Sequence, residues 1–163
     1  MKVREAIAFA MQVHEGQFRK KSKLPYIVHC ISVYATVKKF KESKNFTEIQ
    51  CAAVLHDTME DCGISYEELT DKFGTMVANI VREPTNDEVA MASLGKAEYM
   101  KRKLMGLSSY ALVIKLADML DNMSDQPSKK ALDIYKDVIR FIVSNRDLSS
   151  THKRILSEIS QWI

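Results

Sequence analysis

At 163 residues the chain has the length of one domain and enough material to bury a proper core. Hydrophobic residues make up 46% and charged residues 28%, which excludes a disordered or fibrous polypeptide. The 24 basic and 21 acidic residues leave a net charge of +3, too balanced to hold a nucleic-acid polymer by charge alone. No apolar run approaches the ~20 residues that cross a bilayer, so neither polymer nor membrane is an expected partner. Cys30, Cys51 and Cys62 have no CxxC spacing. The start Met1-Lys2-Val3-Arg4-Glu5 is charged and has no export signal. Together they predict reduced thiols and a cytoplasmic location.

Three prolines and five glycines interrupt the chain, and no stretch alternates β-branched residues with period two. The expected fold class is all-α, one compact helical domain over 1–163 with about eight or nine helices. A first helix is predicted over 3–14, where Ala6, Ile7, Ala10 and Val13 recur at helical spacing. Gly16 follows, then a basic loop, Arg19-Lys20-Lys21 with Lys23, leading to Pro25. The residue before a proline is driven out of the helical region, so the second helix, over 26–39, begins after Pro25. Thr47-Glu48-Ile49-Gln50 reads as a capping box that opens a third helix running through Asp57. Ser65-Tyr66-Glu67-Glu68 reads as a second box, opening a short helix closed by Gly74 as a left-handed cap. Further helices are predicted over 76–82, stopped by Pro84, and over 88–105, with Gly95 as a weak point. The segment 110–123 is the most apolar and should be central, and 128–144 and 151–163 close the chain.

Four features carry candidate chemistry. His56-Asp57 offers an imidazole and a carboxylate, a pair suited to Mn²⁺, Fe²⁺ or Zn²⁺. Adjacent side chains on a regular helix point about 100° apart, so they share one ion only if the helix ends or bends there. The bland alternative, a stray histidine beside a helix-end acid, suits the dipeptide alone. The apolar approach Ala52-Ala53-Val54-Leu55 shifts the balance, because it sets a carboxylate against the core. Glu60 and Asp61 follow three and four residues after Asp57 and could orient a water or shuttle its proton, or form a solvated acidic turn. Asp118 interrupts the apolar run from Ala111 to Ala117, and Asn122 lies one turn later on the same face. The bland reading pairs Asp118 with Lys115 on an exposed stripe. His29 follows the apolar stretch Ile27-Val28, where a satisfied core histidine is the default for that residue alone. His14 sits near the basic loop, and His152 reads as surface.

In order, the motifs are His14-x-x-Gln17-x-Arg19-Lys20, Pro25-Tyr26-Ile27-x-His29, Leu55-His56-Asp57-x-x-Glu60-Asp61, Phe73-Gly74, and Leu116-Ala117-Asp118-x-Leu120-x-Asn122-Met123. Their joint occurrence over about residues 3–125 resembles the hydrolase domain of the RelA/SpoT homologues in its stand-alone form, the small alarmone hydrolases. The resemblance implies a helical HD-superfamily fold and removal of the 3′-pyrophosphate of guanosine tetra- and pentaphosphate, usually with Mn²⁺. Zn²⁺ and Fe²⁺ suit the same ligands. It implies His29, His56, Asp57 and Asp118 as metal ligands and Glu60 and Asp61 as the groups that handle the attacking water. Asn122, Arg19 and Lys20 become nucleotide contacts, the last two along the guanine and phosphates.

The chain also departs from that pattern. Ser22-Lys23-Leu24 precedes the Pro-Tyr pair where a glycine is usual. Asp121 stands where a histidine or aromatic is common, an acid that would repel phosphate if it pointed inward. Glu83-Pro84-Thr85-Asn86-Asp87 replaces a Val-Thr motif. These differences bear on the substrate more than on the metal site. The alternatives are an HD phosphohydrolase for another nucleotide, such as the 2′-phosphate of NADPH or a nucleotide 5′-phosphate, and an inactive nucleotide-binding regulator. At this length no synthetase domain fits, so hydrolysis alone is expected. Oligomeric state is left open.

Overall fold

The computed structural model describes residues 2–41 and 43–163. Among them lie eleven helices and no strand. The chain runs α1 (Lys2–Val13), α2 (Ile27–Phe40), α3 (Phe46–Leu55), α4 (Thr58–Cys62), α5 (Tyr66–Phe73), α6 (Thr75–Arg82), α7 (Glu88–Leu94), α8 (Lys96–Gly106), α9 (Ser109–Ser124), α10 (Lys129–Asn145) and α11 (Ser150–Ile159). The two helices beyond the nine expected come from breaks. The predicted third helix stops at Leu55 and restarts as α4. The segment 88–105 divides at Gly95, whose φ of 77° and ψ of 148° take the backbone out of the helix in a region L side chains avoid.

Two helices are apolar nearly all round and form the centre. Every residue of α3 from Ile49 to Leu55 is buried. The middle of α9 buries Leu112, Val113, Ile114, Leu116, Ala117 and Met119. Around them, α1 and α2 pack on α3, α2 and α11 pack on α9, and α6 packs on α3. This places the start of α2, the end of α3 and the middle of α9 side by side, with α8 and α10 forming a pair at the flank.

Several local expectations change. Thr47 does not cap α3. The helix starts two residues earlier, behind Asn45, whose side chain makes no cap bond, and Gln50 is buried. Ser65 does cap α5, accepting the Glu68 N–H at 3.0 Å. Gly74 takes φ 94° with an extended ψ of 155° rather than a left-handed helical cap, because it also opens α6. α11 ends at Ile159 rather than 163. His152, expected at the surface, is 2% exposed. It closes a capping box with Ser149, and its Nε2 donates to Ser109 O at 2.9 Å.

Candidate active site

The sequence ends α3 at the residue where chemistry is required. Leu55 is its last helical residue. His56 stays near helical angles, but Asp57 takes φ −100° and ψ 0°, and α4 starts at Thr58. The break overcomes the 100° divergence of adjacent side chains and brings His56 Nε2 within 2.9 Å of Asp57 Oδ2. Thr58 Oγ1 donates back to Leu55 O at 2.7 Å and fixes the turn. Gly63, at φ 67°, then closes α4 in the left-handed conformation.

Four side chains meet at this break. His29 Nε2 lies 3.2 Å from His56 Nε2, 3.3 Å from Asp57 Oδ2 and 3.4 Å from Asp118 Oδ1. His56 Nε2 lies 2.9 Å from Asp57 Oδ2 and 4.0 Å from Asp118 Oδ1. His29, His56 and Asp118 are all buried and set their donor atoms within 4.8 Å of one another, and Asp57 brings its Oδ2 closer still to both histidines.

The outer nitrogen of each imidazole is already committed. His56 Nδ1 donates to Ala53 O at 3.0 Å, and His29 Nδ1 donates to Asp121 Oδ2 at 2.6 Å. In the neutral rings both Nε2 atoms therefore carry lone pairs, and these face each other and two carboxylate oxygens. Such a set is satisfied by a shared cation or by protons taken up in its place. Two ligands each about 2.1 Å from a shared ion stand about 3.0–3.4 Å apart at octahedral to tetrahedral angles, which the closer spacings match. The donor set, two imidazoles and two carboxylates, suits a divalent first-row ion.

The electrostatics carry the same message. Burial would lower the His29 pKa, but hydrogen bonds to Asp118, Asp121 and Asp57 override it and push it up to about 11. Burial would raise the Asp57 carboxyl, but the charge of His56 and the hydrogen bonds from His29 and His56 hold it well below the usual range. Asp118 is lowered in spite of burial, chiefly by Lys115, whose Nζ lies 2.8 Å from its Oδ2. With no ion bound, protons take a cation's place. The Lys115 pairing raised as a bland reading thus exists, but it is buried and leaves Oδ1 aimed at the histidines.

The motif residues nearby support Asp57. The Tyr26 hydroxyl donates to Asp57 Oδ2 at 2.7 Å, and its ring stacks on His14 at 4.9 Å. His14 Nδ1 is held by Gln17 Oε1 at 2.7 Å, and Gln17 Nε2 donates to Asp61 O at 3.1 Å. Burial and the charge of Asp57 raise the Asp61 carboxyl above its ordinary value.

A cleft opens beside this cluster, over Asp57 and Asp118. Its inner lobe, about 330 Å³, is lined by Asp57, Glu60, Asp61, Asp118 and Asn122, with Lys20, Lys96 and Lys115. An outer lobe of about 600 Å³ shares Lys20, Tyr26, Glu60, Asp61, Lys96 and Asn122 and adds Gln17, Phe18 and Arg19. Asn122 Nδ2 donates to Asp118 Oδ1 at 2.5 Å. Glu60 accepts from Asn86 through both its backbone N–H at 3.0 Å and its side chain at 2.9 Å, so the segment replacing the Val-Thr motif clamps a cleft acid.

Arg19 and Lys20 diverge. Lys20 is exposed and lines both lobes. Arg19 is buried, with Nη1 2.8 Å from Asp121 Oδ2 and Nε 3.1 Å from Asp125 Oδ2. Asp121, feared as an inward acid, turns instead to His29 and Arg19. Lys96, which begins α8, and Tyr26 also line the cleft, although neither is among the expected site residues. For Lys96 no local signal marks the cleft, whereas Tyr26 lay inside a recognised motif.

The family description "HD domain" matches residues 6–138. The chain belongs to the HD domain family. Among its relatives is a *Xenopus tropicalis* protein named guanosine-3′,5′-bis(diphosphate) 3′-pyrophosphohydrolase MESH1, 36% identical over 122 residues, which cover 74% of this chain and 67% of that protein. A guanosine-3′,5′-bis(diphosphate) 3′-pyrophosphohydrolase of *Aquifex aeolicus* is 32% identical over 123 residues, 74% of this chain but 17% of the longer protein. A solved structure, described as a metazoan orthologue of SpoT that hydrolyses ppGpp, superposes with a TM-score of 0.76 at 28% identity, covering 98% of this chain and 94% of that one. In this HD domain the family's implied divalent metal has a fitting set of ligands in the residues around His29.

Proposed function

We propose that this HD domain hydrolyses the 3′-pyrophosphate of guanosine tetra- and pentaphosphate, giving GDP or GTP and pyrophosphate, with Mn²⁺ as cofactor. The observation that carries the reading is the pair of imidazole Nε2 atoms 3.2 Å apart, facing each other beside a cleft that presents Lys20, Lys96 and Lys115. The substrate class is supported by relatives named for this reaction at 36% and 32% identity.

His29, His56, Asp57 and Asp118 would hold the ion. When bound, a divalent ion supplies Lewis-acid polarisation of a phosphoryl oxygen and acidifies a water toward neutral pH. The remaining chemistry belongs to the chain. Tyr26 keeps Asp57 in place through its 2.7 Å hydrogen bond. Asp61, with its raised carboxyl, accepts the proton of the attacking water and can return it to the leaving oxygen. Glu60, clamped by Asn86, orients that water. Lys20 and Lys96 neutralise phosphates and the charge that develops in the transition state. Asn122 faces the sugar-phosphate region from α9.

Metal-stripped protein incubated with guanosine tetraphosphate should yield GDP and pyrophosphate only when Mn²⁺ is added, as resolved by ion-exchange chromatography. Intact tetraphosphate, with phosphate released from NADPH or a nucleotide 5′-phosphate in a parallel panel, would reassign the substrate.

A further inference from the structure

The Arg19 side chain is turned away from the role that its motif suggests. Its guanidinium is buried, and two of its nitrogens are spent on carboxylates of α9 and the residue that follows it. Nη1 lies 2.8 Å from Asp121 Oδ2, and Nε lies 3.1 Å from Asp125 Oδ2. Asp125 also accepts the Ser22 backbone N–H at 3.2 Å, so the basic loop is tied down at two points. The loop is itself pinned as a narrow hairpin, with Arg19 N–H to Leu24 O at 2.8 Å and Tyr26 N–H to Gln17 O at 2.9 Å. A guanidinium so held has little freedom to swing onto a base or a phosphate.

The carboxylate it grips has a second partner. Asp121 Oδ2 accepts both Arg19 Nη1–H and His29 Nδ1–H, the latter at 2.6 Å. A carboxylate on the outer nitrogen of a metal-binding imidazole fixes its tautomer and ring angle and raises its basicity. A cation on the far side of that carboxylate keeps it ionised and in place.

We infer that Arg19 and Asp121 act together as positioning residues for His29, so that the loop arginine serves the metal centre rather than the nucleotide. The inference rests on the metal-centre reading above. It leaves the exposed Lys20 as the basic residue of the loop that meets substrate.

The deciding measurement is Mn²⁺ affinity by calorimetric titration of metal-free protein, with no nucleotide present. Asp121→Asn should weaken Mn²⁺ binding by about 10- to 100-fold. Arg19→Gln should weaken it in the same direction by a smaller factor. The double variant should bind no more weakly than Asp121→Asn, because the arginine works through the aspartate. In steady-state assays with guanosine tetraphosphate at saturating Mn²⁺, Arg19→Gln should leave KM near the wild-type value, whereas Lys20→Gln should raise it. Unchanged Mn²⁺ affinity in Arg19→Gln together with a raised KM would overturn the assignment and return the arginine to the nucleotide. If Asp121→Asn does not fold, Arg19→Gln alone decides, because it leaves the His29–Asp121 bond in place. A wild-type protein that binds no Mn²⁺ would overturn the metal-centre reading itself. That outcome is distinct from wild-type and variant proteins that bind alike.

Discussion

At the scale of single residues, the site rests on which atom of each side chain is free. His29 and His56 were identifiable from their motifs, but their usefulness depends on Nδ1 partners, Asp121 and Ala53, that no local pattern announces. Arg19 and Asp121 are 102 positions apart, and neither carries a mark of the other. Sequence could only place one in a basic loop and the other next to Asn122. Asp57 and Glu60 were legible as a pair, and the structure gives them different partners, His29, His56 and Tyr26 for Asp57 and Asn86 for Glu60. Asp57→Ala should abolish turnover and the Mn²⁺-dependent rise in melting temperature together, since a ligand stabilises by RT ln(1 + [L]/Kd) only where it binds. Glu60→Gln keeps an acceptor for the Asn86 N–H, so it should retain the Mn²⁺ shift and lose turnover by about 10²-fold or more. Differential scanning fluorimetry beside the chromatographic assay checks both. A full Mn²⁺ shift in Asp57→Ala would remove that residue from the ligand set.

At the scale of elements, helices long enough to show their period were readable, and their junctions were not. α2, α9 and α10 lie within one or two residues of expectation, because each is long and amphipathic or strongly apolar. The break between α3 and α4 was foreseen as a chemical necessity, and Thr47 failed as a cap because the helix begins ahead of it, behind Asn45. The start of α11 shows a junction with a function of its own. His152 Nδ1 accepts from the Ser149 N–H while Nε2 donates to Ser109 O, an arrangement that requires the neutral ring. Burial, together with the charges of Arg146 and Lys41, lowers its pKa below the ordinary 6.5 despite the bond to Ser109. The unfolded chain therefore binds this proton more readily than the folded one. The stabilisation is complete above about pH 6.5 and is lost as pH falls toward the folded value. In the metal-free protein His29, with its raised pKa, acts in the opposite sense, giving stability below pH 6.5 that is lost as pH rises through about 11. The contribution of His152 is thus a difference measurement. The melting-temperature advantage of wild type over His152→Gln should shrink between pH 7.5 and pH 5, and parallel curves would exclude the linkage.

At the scale of the molecule, the all-α class followed from the absence of alternating strands and the scarcity of proline and glycine, and the structure centres it on two buried segments, Ile49–Leu55 and the middle of α9. What could not be read was how the three segments that carry His29, His56-Asp57 and Asp118 assemble, because that depends on α2 and α3 packing together and α2 and α9 packing together. The proposed ligands lie far apart along the chain, at residues 29, 56, 57 and 118, on three separate supports. An ion held among them is therefore a removable cross-link, topologically equivalent to stapling α2 and α9 to the end of α3. It closes loops of 27 and 61 residues in any partly opened state, as the spacings His29–His56 and Asp57–Asp118 give. Amide exchange in α2, in the last turn of α3 and in the middle of α9 should slow together when Mn²⁺ is added, while α10, which supplies no ligand, changes less. Chelation would then do more than silence the site: it would lower the barrier to opening the centre of the protein, so that resistance to proteolysis becomes a readout of metal supply.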